Sequence, residues 1–297
     1  MTAPDQLTTR SRPALAWLLR AVCAVMFIGH GLMCWNGQMP LRALLWDEGL
    51  VSGVVQRIAG IEWDVWVSSM EIDAGIDRAI RAQAWIFFLF AMAMLLPMRR
   101  RGFGLIYVAA SLNLLFLSWL KFHDAGLGIG QLFEHASQFC LPLVLAMYVW
   151  GRGSAWELVA RLSLASTFVA HGVYAIGLSS EIPLLNHPRP GRFTEMMMLC
   201  LNLESESIAG WLLLAAGVAD FLVAGMIFLR GWPRWVGLAY MVAWGFLTAL
   251  ARPWAYYEPT AAAETLIRWV PAMLYRAPHF GLPLCLLLAL AWRRADT

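Results

Sequence analysis

The sequence predicts an all-α polytopic membrane protein, with eight transmembrane helices arranged as two tandem parallel four-helix units. Three observations predict it. Hydrophobic residues make up 60% of the 297 residues and charged residues only 14%, too little polar surface to cover a soluble core of this size. Apolar runs of about 20 residues recur, each long enough to cross about 30 Å of hydrocarbon. A set of matching residues returns at a constant offset, the mark of an internal repeat. The mean hydropathy of +0.63 agrees, and 16 Trp suit two interfacial belts.

The predicted spans, in order, are Pro13–Trp35, 82–98, 103–120, 133–150, 158–178, 208–229, 232–251 and 271–292. Arg10 and Arg12 precede the first. Its Arg20 rules out a signal-peptide reading, since it interrupts the apolar stretch and the same segment recurs mid-chain. Arg99, Arg100 and Arg101 separate the second span from the third, which ends in Lys121 and His123. Arg152 and Arg161 flank the connection from the fourth span to the fifth. Arg230 and Arg234 flank that from the sixth to the seventh, and Arg293 and Arg294 follow the eighth. Lys and Arg gather on the cytoplasmic side of membrane proteins, so an inner-membrane location with both termini cytoplasmic is expected. Arg20 and Arg161, in the inner parts of their helices, are expected to snorkel to the headgroups.

The first outer connection, 36–81, carries Trp46, Trp63 and Trp66 among acids and reads as short interfacial helices. The fifth connection, EIPLLNHPRPGRF, is rich in turn residues and reads as an ordered loop. Met196, Met197 and Met198 read as apolar contact. The five Cys include no C-x-x-C pair. Cys23, Cys140 and Cys285 read as small core residues; Cys34 and Cys200 share the outer side, where a disulfide is allowed but not required. A net charge of +3 gives no case for nucleic acid. The expected partners are the lipid bilayer and other membrane redox subunits.

The repeat divides the chain into units 1–151 and 152–297. RAVCAVMFIGHG, from Arg20, lies over RLSLASTFVAHG, from Arg161, at an offset of 141. ASQFCLPLVL, from Ala136, lies over APHFGLPLCL, from Ala277, at the same offset. The third and seventh spans align at 133, where Arg101, Gly104, Leu105 and Tyr107 match Arg234, Gly237, Leu238 and Tyr240. Four spans are an even number, so both units enter the membrane in one direction, related by an axis along its normal.

The topology gathers polar residues towards the outer leaflet. His30 and His171 come late in outward spans, and His135 and His279 come early in inward ones. Glu134, Lys121 and Arg252 fall at the same level. Intramembrane ionisable residues are costly and face a bundle interior or cavity. One reading is a ligand site. His30, His171, His135 and His279 can bind a metal or haem b, with Gly31 and Gly172 leaving room for a porphyrin, or hydrogen-bond a quinone. The other reading is packing, with imidazoles bonding across helices that the glycines let approach. His135 aligns with Arg276, and His279 with Gln138, so the second His of each unit is not duplicated in register. Asp220, mid-span in the sixth helix, either pairs with an Arg or is protonated; a role in proton-coupled transport is the functional version. P-loop, zincin and nucleophile-elbow motifs are absent.

The R-x3-A-x2-F-x2-H-G pattern (Arg20, Ala24, Phe27, His30, Gly31, repeated at Arg161, Ala165, Phe168, His171, Gly172) resembles the DoxX-like membrane proteins. The long Trp-rich connection departs from a minimal unit of that kind. The resemblance implies a compact four-helix bundle that accompanies membrane redox enzymes, and it implies no catalytic residue. The expected function is a redox-associated inner-membrane subunit binding haem b or quinone through the His cluster. The alternatives are a small-solute or ion transporter with its site between the units, Asp220 or Arg252 on the path, and a structural subunit without ligand.

Overall fold

The computed structural model describes residues 12–97, 103–124, 128–178, 180–181 and 186–295. Arg10, Arg99, Arg100 and Arg101 lie outside them. Seven helices are long and apolar enough to cross a membrane, or eight if a bent pair counts as one span. Large apolar side chains such as Leu89, Trp211 and Leu222 stay exposed on the outside, as they do where the surrounding solvent is hydrocarbon. The chain is a multi-pass integral membrane protein.

The first span is α1 (Pro13–Trp35), with Pro at its start, where the missing N–H costs nothing. Three short helices fill the first connection: α2 (Leu41–Leu45), α3 (Glu48–Ala59) and α4 (Trp63–Ser68). The second span is longer than predicted. Helix α5 (Met70–Leu95) begins at Met70 rather than at residue 82, because Ser69 caps it by accepting from the Ile72 N–H and acids occupy its first turn. One of those acids, Asp73, and Asp77 a turn further on hold Arg42 of α2 against it. The third span is α6 (Gly104–Asp124).

The fourth span is broken. A short α7 (Gly130–Glu134) meets α8 (Ala136–Val149) at His135. Thr167 occupies the break, accepting from the Ser137 N–H at 3.1 Å and donating to the Phe133 carbonyl at 3.5 Å. Then follow α9 (Ala155–Ile176), α10 (Gly191–Leu201), α11 (Glu206–Met226) and α12 (Trp232–Ala255). The last span is also broken: α13 (Ala262–Leu274) and α14 (Ala277–Ala295) meet at a 42° bend. Pro278, just beyond the break, has no N–H to give to the preceding turn. His135 and Arg276, which the repeat aligns, thus both stand at helix breaks.

Helix α1 packs on α5 as α9 packs on α11, and α6 on α8 as α12 on α14. Helix α14 packs on α1 as α8 packs on α9. The core lies along these contacts and includes Phe27, Phe87, Tyr107 and Phe168. Glycines set the closest approaches. A Cβ at Gly29 would lie 2.3 Å from the Tyr275 nitrogen, and one at Gly245 would lie 2.4 Å from the His279 carbonyl oxygen.

One sequence expectation is corrected here. Arg20 does not snorkel: it is 4% exposed and donates to the carbonyls of Met94, at 3.0 Å, and Leu96. It closes the end of α5, whose last carbonyls have no partners within the helix. Arg161 is half-buried and bonds its own helix at Glu157. Cys34 and Cys200 are both free.

Candidate functional site

One end of the bundle, on the side of the first connection, gathers the polar side chains. His30, in the last part of α1, lies between two rings, 5.0 Å from Tyr275 and 5.4 Å from Phe87 between centroids. Its Nε2 is 3.0 Å from Oε1 of Gln138 on α8. This is a buried hydrogen bond between the first and last spans of the first half.

At the α7–α8 break, His135 Nδ1 faces the Gln131 carbonyl at 2.7 Å. A carbonyl only accepts, so Nδ1 carries the hydrogen and Nε2 offers its lone pair. Lys121 Nζ, at 2.8 Å, donates to that lone pair. The same ammonium is 4.5 Å from the centre of the Tyr275 ring. The Arg276 guanidinium lies 4.4 Å from that ring, and its Nη1 donates to the Ala272 carbonyl at 2.8 Å.

Glu134 is buried beside two partners from the second half of the chain. Its Oε1 is 3.8 Å from His171 Nε2 and 3.8 Å from Arg276 Nη2. His171 meets His279 edge to face, with centroids 5.0 Å apart. His279 is fully buried, and among the described residues neither its ring nitrogens nor Gln138 Nε2 has a hydrogen-bond partner. Gly31 and Gly172 do not line a slot. The Phe88 ring fills the space at Gly31, and the Gly217 carbonyl fills that at Gly172.

A cavity of about 940 Å³ opens above this network. The first half contributes Trp46, Lys121, Gln131, Glu134 and His135 to its wall, and the second half contributes Tyr174, Arg192, Arg252, Tyr275 and Arg276. Of the four predicted histidines, His135 alone reaches this wall. Gln131 donates to the Tyr174 hydroxyl at 3.0 Å, tying the two halves at the rim. Among the described residues, no group of three or more His, Cys, Asp or Glu side chains is placed to hold a metal ion.

Asp220 stands apart from the cavity, on α11. It is 1% exposed and accepts from the Tyr240 hydroxyl at 3.2 Å; neither an Arg nor a Lys pairs with it among the described residues. Sequence reasoning passed over Tyr275, Arg192 and Gln131. For Arg276 a signal existed, since the repeat sets it opposite His135. Arg189 was missed too. From the fifth connection it donates to the Ala175 carbonyl at 2.8 Å and the Ile176 carbonyl at 3.1 Å, closing the end of α9.

Fold and site together define a polytopic α-helical membrane protein with a cationic, aromatic-walled cavity at one end. Compared with protein families, curated proteins and solved structures, the chain matches none.

Proposed function

We propose that this protein is a duplicated four-helix membrane protein that takes a small polar solute from the outer side into the cavity between its halves, as the binding step of transport. The observation that carries the reading is the cavity wall, drawn from both halves of the chain and lined with charged and aromatic groups, as ligand sites between helices are. The helix contacts support the duplication, because α1 on α5, α6 on α8 and α1 on α14 have counterparts in α9 on α11, α12 on α14 and α9 on α8. The polar pairs support it as well: His30–Gln138 occupies the place that His171–His279 occupies under the repeat. The orientation follows from the charges. Arg12, Arg152, Arg230, Arg234, Arg293 and Arg294 belong to the end opposite the cavity, which is the cytoplasmic end by the positive-inside rule. The membrane is then a bacterial-type inner membrane with the cavity facing out.

Labelling tests the reading. Ala43 is an exposed residue of the cavity wall. Ala43→Cys in sealed right-side-out vesicles is expected to react with a membrane-impermeant maleimide. The native thiols are expected to stay largely unlabelled. Cys23, Cys34 and Cys285 are buried, Cys140 lies within a span, and burial pushes the Cys200 thiol up. Reaction of Ala43→Cys only from the cytoplasmic side would end the reading.

The redox reading draws on one observation, the two unpartnered nitrogens of His279 beside His171, since buried polar atoms without partners are rare. A porphyrin does not fit there, since the His171 and His279 rings are packed 5.0 Å apart with His279 fully buried; a quinone would have to hydrogen-bond His279 rather than His30, whose Nε2 is already bonded. An absorption spectrum of the purified protein separates the two readings.

A further inference from the structure

The charges around the cavity do not balance. Arg42 is neutralised by Asp73 and Asp77. That leaves Lys121, Arg192, Arg252 and Arg276 on the wall against two carboxylates, Glu134 and Asp124. Glu134 is shared between Arg276 and His171, each at 3.8 Å, beyond a direct hydrogen bond. Lys121 donates to a neutral imidazole, which relieves none of its charge. Arg192 has only the Trp269 ring, 5.9 Å away, to lie over. The Arg252 side chain has no hydrogen bond or ion pair among the described residues; Arg276 and Arg192 oppose its charge, and Tyr275 and Glu134 favour it without bonding it. Lys121 and Arg276 both crowd the single ring of Tyr275. Like charges gathered in a partly dry wall repel, and among the described residues Glu134 and Asp124 are too few to balance the four cations.

We propose that the cavity binds an anionic group, a phosphate or carboxylate, held by Lys121, Arg252 and Arg276. This rests on the reading of the cavity as a solute site and names the class of solute. Guanidinium groups engage two oxygens of such an anion at once, and an ammonium adds a point charge. The rest of the ligand lies along Trp46, Tyr174 and Phe193, which line the same space. The group can belong to a free solute or to a lipid headgroup that enters at the outer leaflet.

Thermal unfolding of the full chain in nanodiscs separates these sources. The probes are inorganic phosphate and benzoate with phosphatidylcholine discs, and phosphatidylglycerol discs without added anion. A rise in Tm with either soluble anion assigns a free solute. A rise confined to phosphatidylglycerol discs assigns a headgroup. In each case Arg252→Gln is expected to weaken the half-saturating concentration, or the lipid fraction needed, about tenfold or more. Arg78→Gln, away from the cavity, is expected to change neither. No rise with any anionic probe, or a rise that survives Arg252→Gln combined with Lys121→Gln, would overturn the proposal. The cavity reading fails separately. If glucose or choline protects Ala43→Cys from maleimide while the anions do not, the cavity stands and its anionic ligand falls.

Discussion

At the scale of single residues, the tightest positions in the molecule carry no functional group. Gly29 and Gly245 meet the backbone of α13 and α14, and backbone cannot move aside as a side chain does. Gly245→Ala is expected to force α12 and α14 apart, at a cost of about 1–3 kcal/mol, read as a fall in Tm in detergent. Gly225 of α11 has nothing within 4 Å of its would-be Cβ. Gly225→Ala is expected to leave stability unchanged or raise it by up to about 1 kcal/mol, since Gly is a poor helix residue. The sequence pointed elsewhere, to Gly31 and Gly172, because they follow a repeated histidine. Gly172 does mark a close approach, of α9 to α11. Gly29 and Gly245 could not be read, because what they touch is distant in sequence and leaves no local pattern.

At the scale of elements, hydropathy marked the long apolar helices, the first of them to its ends, but not the start of α5 or the breaks at His135 and Arg276. Helix α5 extends well before its apolar run because Ser69, Glu71 and Asp73 make a good helix start, a signal open to reading in the sequence. The break at His135 is different. It depends on Thr167 from another helix, and neither residue breaks a helix by itself. The Arg20 contact was misread for the same reason: an arginine near a helix end suggests a headgroup, and only the packing of α1 on α5 supplies carbonyls instead. Arg20→Met is expected to loosen the end of α5. Amide exchange at residues 94–97 should accelerate, with a loss of about 1.5–3 kcal/mol for a charged hydrogen bond. Arg161→Met, which removes a bond within its own helix and a 5.9 Å contact with the Phe228 ring, is expected to leave exchange in the spans nearly unchanged.

At the scale of the whole molecule, the two halves share an outline but differ where they are polar. The first half joins His30 to Gln138 by a hydrogen bond. The second sets His171 against His279 and leaves nitrogens unpartnered. The alignment sets Gln138 opposite His279, and Gln138 is the residue that bonds His30. The polar network also crosses between halves, since Glu134 belongs to the first and its partners, His171 and Arg276, to the second. Glu134→Gln would leave Arg276 buried with no counter-charge. The expected cost is about 3 kcal/mol, seen as a lower unfolding midpoint in a denaturant titration. Arg293→Gln, which removes the half-exposed partner of Glu157 at the other end, is expected to cost less.

The bond between Arg20 and the end of α5 also bears on how the chain is made. The guanidinium leaves the ribosome with the first helix, but the Met94 carbonyl it binds lies 74 residues later. Through that interval the first helix carries a charge with no carbonyl of α5 to hold it, and water or headgroups must do so. The helix is therefore kept shallow until α5 arrives, and its final depth is set only when the second span has been inserted. A nascent chain stalled before residue 94 should leave the start of α1 open to added protease, and one stalled well beyond it should not.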